Sequence, residues 1–169
     1  MTRISTGKVL LTLTSLVSAY GSYFFDWNHT HIYNPNWPPH AKFHNAQTMS
    51  MGTAVGMAGL YTLWARRGPW TWERLQVSTA AASFYWITQL SSTLYPGTAL
   101  VDGPWPAPAD TPDRADGAPG PASGRERALV TAPARPPRFR GPQTVIASVS
   151  LALNALAYGL ESRRLARPH

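Results

Sequence analysis

Four apolar blocks, divided by polar and proline-rich connections, set out the plan of this chain. The first, Val9 to Phe25, reads VLLTLTSLVSAYGSYFF and follows Arg3 and Lys8. At about 1.5 Å per residue it reaches roughly 25 Å, a short transmembrane span with aromatic residues at its far end. A cleaved signal peptide shares the basic start, the apolar centre and small residues such as Ala19 and Gly21. Because the apolar character runs on through Tyr23, Phe24 and Phe25, an uncut span is expected. The second block runs from about Phe43 to Trp64, the third from about Leu75 to Tyr95 and the fourth from about Thr144 to Leu160.

Inside these blocks the polar positions matter as much as the apolar ones. The second opens with Asn45, Gln47, Thr48, Ser50, Gly52, Thr53 and Gly56, small or polar residues that ask for partners at membrane depth. Gly52 and Gly56, four apart, let another helix approach closely, either within the chain or as a homo-oligomer contact. The third block carries Ser78, Thr79, Ser83, Thr88, Gln89, Ser91 and Ser92, a polar face suited to the interior of a bundle, with Trp70 and Trp72 as interfacial anchors before it. Many such hydroxyls bond only their own backbone. Asn154 sits in the middle of the fourth block.

The connections differ in kind. Between Asp26 and Lys42, Asn34-Pro35 and Trp37-Pro38-Pro39 exclude a continuous helix and predict a rigid, shaped loop, with Pro38 and Pro39 opening a helix near His40. From Pro96 to Gly141 the chain turns to Pro, Asp and Arg with few large apolar residues, a composition expected to stay disordered between the third and fourth helices. That stretch also pulls the mean hydropathy down to −0.20. The predicted fold is all-α: a four-helix transmembrane bundle, one membrane domain over 1–169, with a His/Trp/Pro-rich extramembrane loop between helices 1 and 2.

Charge sharpens this picture. The formal net charge of +7 would suggest nucleic acid in a soluble protein, but the basic residues sit in flanks and in the Pro-rich loop, leaving the apolar blocks nearly bare. The bilayer is therefore the expected partner, and nucleic acid is not. Arg3, Lys8, Arg66, Arg67, Arg74, Arg163, Arg164 and Arg167 agree on a cytoplasmic face carrying both termini, which puts the histidine-rich loop outside or in a lumen. The arginines from Arg125 to Arg140 fall on the opposite face, against that majority. With no cysteine, disulfides, thiolate catalysis and Cys-based zinc sites are excluded.

Chemistry concentrates between Asp26 and Gln47. Asp26 is the sole carboxylate before Glu73, and His29, His31, His40 and His44 are four of the five histidines. His29 and His31 share a face if extended, and His40 and His44 share one if helical. Two chemistries follow. Neutral imidazoles with an aspartate suit zinc or copper, although no metalloprotease-type motif is present. Equally, a histidine moves protons near neutral pH, with Asp26 as orienting partner. Asn28, Trp27, Trp37, Asn45, Gln47 and Gln89 are the expected substrate contacts. No GxSxG-type serine motif occurs, so acyl-enzyme chemistry is not expected. A capped interfacial loop with no chemistry is the simplest alternative.

The stretch DWNHTHIYNPNWPPHAKFHNAQTMSMG resembles the signature of a family of small four-span membrane proteins of fungi and bacteria that carry a domain of unknown function. The resemblance covers about Tyr23 to Gly52, the other helices agree only in hydropathy, and the long Pro-rich loop departs from it. It implies an integral membrane protein. Some members are called acetyltransferases, which no residue here supports. Compact four-helix membrane proteins related to sterol isomerases are similar in architecture alone, since their acidic motifs are missing from this chain. The expected role is an enzyme acting on a lipophilic small molecule by His/Asp acid–base chemistry, of isomerase, cyclase or hydro-lyase type, with His40 or His44 as the acid–base group. The alternatives are a histidine metal site, catalytic or carrying the ion, and a non-catalytic scaffold subunit.

Overall fold

Helix starts in this protein are set by caps that the sequence supplies. The computed structural model describes residues 4–100 and 141–167. Helix α1 spans Thr6–Asp26, and the Ser5 side chain accepts from the Lys8 N–H at its start. Helix α2 covers Pro39–Leu60 with Pro39 in the first turn, as the tandem prolines predict, and widens into a π-helical end over Tyr61–Ala65. Helix α3, Trp72–Ser91, is capped by the Thr71 hydroxyl and ends in a 3₁₀ turn over Ser92–Leu94. Helix α4, Pro142–Leu165, opens with proline after Gly141. Each helix starts before its apolar block, because polar caps and first turns extend what hydropathy marks. No strand occurs among the described residues. Of the expected disordered loop, residues 101–140 lie outside the described residues.

The four helices form a ring. Each packs on its neighbours in sequence, α4 closes against α1, and α1 touches α3 across the middle. Lys8, Trp70 and Glu161 meet at one end, and Asp26 meets Asn45 at the other, so neighbouring helices run antiparallel.

The ring is closed by small residues. On α1 the buried positions are Gly7, Leu11, Thr14, Ser15, Ser18, Ala19 and Ser22. Against them lie Gly52, Gly56 and Gly59 of α2. A Cβ at Gly56 would come within 2.5 Å of the Ser15 carbonyl oxygen and 2.8 Å of Ala19 Cβ. One at Gly52 would meet the Ser18 carbonyl at 2.6 Å. The glycine pair is therefore used inside the chain, against α1, and Thr53 adds a hydrogen bond to the Ala19 carbonyl at 3.0 Å.

Polar groups fill the centre. Asn154, 1% exposed, accepts from the Thr14 hydroxyl and donates to the Ala82 carbonyl and Ser83 Oγ, both at 3.0 Å, tying α1, α3 and α4 together. At the end holding the chain termini, the Arg74 guanidinium donates to the carbonyls of Thr62, Leu63, Gly68 and Pro69, which closes the π-helical end of α2. Beside it Glu161, also 1% exposed, accepts from Trp70 Nε1 at 3.0 Å, and Lys8 lies 4.2 Å over the Trp70 ring. Burial, and then the Arg74 charge, hold the Lys8 ammonium below the ordinary lysine range, with Glu161 acting against them.

Large apolar side chains point the other way. Val9, Leu13, Tyr20 and Phe24 of α1 are exposed, Phe24 by 82%, as are Phe84 and Ile87 of α3 and Val145, Val149 and Leu156 of α4. Among the described residues, α4 alone is long and apolar enough to cross a membrane by length and composition.

The seam gives a direct test. Gly56→Ala should destabilise the protein by about 1–3 kcal/mol, because backbone on α1 must move. At Gly159 a Cβ meets nothing within 4 Å, so Gly159→Ala should stay within about 0.5 kcal/mol of wild type. Reversible unfolding in mixed micelles measures both, and equal values would refute the close α1–α2 contact as a constraint.

Candidate functional site

The end of α1 delivers Asp26, and the loop after it is built from two side-chain turns. Asn28 Oδ1 accepts from the Thr30 N–H at 2.8 Å and the Thr30 hydroxyl at 2.6 Å, while its amide nitrogen donates to the Phe25 carbonyl. Asn34 repeats the device: Oδ1 accepts from the Asn36 N–H, and Nδ2 donates to the Thr30 carbonyl. This is the rigid loop that the prolines predict. It is folded and not extended, so His29 and His31 do not share a face.

His31 turns inward. Its Nε2 lies 3.7 Å from Asp26 Oδ1, its Nδ1 lies 2.7 Å from the Thr30 hydroxyl, and Trp37 packs edge-on against the ring at 5.1 Å. Two proton arrangements satisfy these contacts. The Thr30 proton is spent on Asn28 Oδ1, so the ring donates Nδ1–H to the Thr30 oxygen, either neutral with Nε2 bare or charged with an Nε2 proton on the Asp26 side. Asp26 also accepts from Asn45 Nδ2 at 3.2 Å, across the gap between α1 and α2. His29 is exposed and packs on the Tyr33 ring.

His40 and His44 form a separate pair on the first turns of α2, as helical spacing predicts. Their Nε2 atoms are 3.0 Å apart, and His44 Nδ1 faces Gln47 Oε1 at 3.3 Å. Both rings are exposed. The imidazoles thus make two groups and not one, and no cluster of three or more His, Asp or Glu able to hold a metal ion occurs among the described residues.

Beneath Asp26 and His31 opens a cavity of about 610 Å³. Its rim is Asp26, Thr30 and His31, and its walls come from all four helices: Ser22 and Phe25 of α1, Thr48 of α2, Tyr85, Trp86 and Gln89 of α3, Gln143 and Ile146 of α4. Three of these residues hold a buried polar atom with no hydrogen-bond partner among the described residues: Trp86 Nε1, Gln89 Oε1 and Gln143 Oε1. Buried polar groups ordinarily find partners, so this concentration around one cavity marks where a ligand or water would complete them.

Of the residues singled out from the sequence, Asp26, His31, Asn45 and Gln89 belong to this site. Asn28 shapes the loop, Trp37 supports His31, Gln47 serves His44, and Trp27 donates from Nε1 to the Tyr33 hydroxyl. Sequence reasoning missed Tyr85, Trp86 and Gln143. Tyr85 and Trp86 read as ordinary apolar helix, and Gln143 stands one residue before the fourth block.

If the two histidine groups are independent, Asp26→Asn should shift the ring signals of His31 in a ¹⁵N-histidine spectrum and leave those of His40 and His44 unmoved. Movement of all three together would contradict this arrangement.

Neither a curated protein nor a solved structure matches the chain. A family model does: residues 10–109, which take in most of α1, the histidine-bearing loop, α2 and α3, match it. With Asp26, His31, His40 and His44 all inside the matched region, the chain belongs to the family of unknown function DUF6640.

Proposed function

We propose that this is a multi-pass membrane protein that admits a lipophilic small molecule to the cavity at one end of its bundle and moves a proton on it with the Asp26–His31 pair. The observation that carries the reading is the pairing of His31 Nε2 with Asp26 Oδ1, 3.7 Å apart, on the rim of the cavity. His31 supplies or takes the proton, and Asp26 balances the imidazolium charge. This assigns to His31 the part that spacing alone suggests for His40 or His44. Adding a proton at one carbon of a double bond and removing one from the carbon attached to its other end shifts the double bond, changes no composition and needs no co-reactant, so an isomerase fits the residues most economically.

The inverted surface supports the membrane reading. Hydroxyls, glycines and an asparagine fill the centre while Leu13, Phe24, Phe84, Val149 and Leu156 face outward; in water that distribution would be unfavourable, whereas lipid tails solvate it. Positive charge at the end holding the chain termini supports a cytoplasmic position for that end. Under this orientation, a cysteine replacing Asn36 is labelled by a membrane-impermeant maleimide only from the non-cytoplasmic side, and cytoplasmic labelling would reverse it.

The His40–His44 contact favours a second reading. Two imidazole nitrogens 3.0 Å apart suit adjacent positions on one copper or zinc ion, with Gln47 fixing the His44 tautomer.

Purification from cells grown in ordinary water, followed by incubation in D₂O and mass spectrometry of the apolar extract, tests the main reading. The expected result is a near-stoichiometric apolar molecule that gains carbon-bound deuterium on wild-type protein, gains none on His31→Ala, and is absent from Ile146→Trp, where the indole fills the cavity. An extract with no such molecule, or deuterium gain independent of His31, would sink it.

A further inference from the structure

The groups that the cavity presents are biased toward one kind of ligand. Asp26 brings a carboxylate to the rim, and no lysine or arginine lines the cavity among the described residues. Of the three buried unpartnered atoms of Trp86, Gln89 and Gln143, two are amide oxygens that accept and one, Trp86 Nε1, donates. Gln143 donates from Nε2 to the Leu100 carbonyl at 3.1 Å, which fixes the amide and leaves Oε1 buried without a partner. Gln89 Oε1 is in the same state. A buried acceptor without a donor is destabilising, so a ligand carrying N–H groups gains by supplying them. Phe25, Tyr85 and Trp86 add ring surfaces, and an aromatic face attracts a cation.

Taken with the reading of this cavity as a small-molecule site, on which the inference rests, we infer that it binds lipophilic amines. The protonated nitrogen sits near Asp26 and the oxygens of Gln89 and Gln143, and the hydrocarbon body lies against Phe25, Trp86 and Ile146. The acceptors distinguish among cations as well. A protonated tertiary amine has one N–H to give, whereas a quaternary ammonium has none and can only use the carboxylate and the rings. The same acceptors would face the positive charge that builds on an apolar substrate as His31 protonates it.

Three small probes separate these contributions: 1-benzylpiperidine, its N-methyl quaternary salt and the neutral isostere benzylcyclohexane. Binding is measured on the full chain in zwitterionic-lipid nanodiscs. The amine should bind at least about tenfold more tightly than either of the others, a difference well within reach of one charge-assisted hydrogen bond. Asp26→Asn should erase the preference over the neutral isostere. Gln89→Leu, which keeps the carboxylate, should narrow the preference over the quaternary salt, and it carries the test if Asp26→Asn does not fold. Equal binding of the amine and its neutral isostere to wild type, or a full preference retained in a folded Asp26→Asn protein, would overturn the inference. Deuterium exchange on a bound molecule without amine preference would overturn this inference alone. Amine preference without exchange would overturn the proton-transfer reading and leave this one standing.

Discussion

Everything at the functional end of this protein depends on how closely α1 and α2 approach. Gly52, Gly56 and Gly59 remove side-chain volume along one face of α2, and Ser15, Ser18 and Ala19 do so on α1, so helix backbones meet almost directly. The seam runs toward the end of α1 and the start of α2. Asp26 and Asn45 are joined there across the two helices, and the carboxylate is held where the loop can bring His31 beside it. A wider seam would lengthen the Asn45–Asp26 contact and leave the loop without its anchor. The glycines thus act on the Asp26–His31 pair through position.

The same economy of size explains why the interior is polar. Small residues cannot make a thick hydrophobic core, so cohesion between helices comes from specific hydrogen bonds. Asn154 links three helices, and Arg74 satisfies carbonyls at the end of α2. Glu161 is held by Trp70 with Arg164 alongside, 3.9 Å away. Each of these groups has partners, as burial in a low-dielectric interior demands. Trp86 Nε1 and the oxygens of Gln89 and Gln143, all at the cavity, are buried with none. Among the described residues, polar atoms of Ser15, Asn45, Ser78, Thr79 and Ser162 are also buried without partners, and the three at the cavity lie where a ligand would enter.

Much of the helical plan was legible in advance, for physical reasons that act locally. Apolar blocks located the four helices, Pro38 and Pro39 located the start of α2, and the i,i+4 spacing of His40 and His44 set their rings together. The Asp26–His31 pairing was not legible. Asp26 and His31 are five apart in a segment with no repeating conformation, and their meeting depends on side-chain turns at Asn28 and Asn34 that reverse the backbone. Extended geometry would have paired His29 with His31 instead. The cavity walls were hidden for a different reason: Trp86, Gln89, Gln143 and Ile146 come from two helices whose rotation about their axes is decided by packing, chiefly by Asn154 and the small residues around it. The π-helical end over Tyr61–Ala65 had no sequence signal, since it follows from the Arg74 side chain reaching back from the next helix.

The central claim is that the space under Asp26 and His31 is a ligand site and not a packing defect. An experimental structure of the full chain in lipid nanodiscs, at a resolution that distinguishes side chains, tests this most directly. A ligand site gives an open cavity holding elongated non-protein density that reaches the Asp26–His31 pair and approaches the amide oxygens of Gln89 and Gln143. A collapsed space, with Gln89 and Gln143 bonded to each other or to Trp86 and His31 turned away from Asp26, would contradict it.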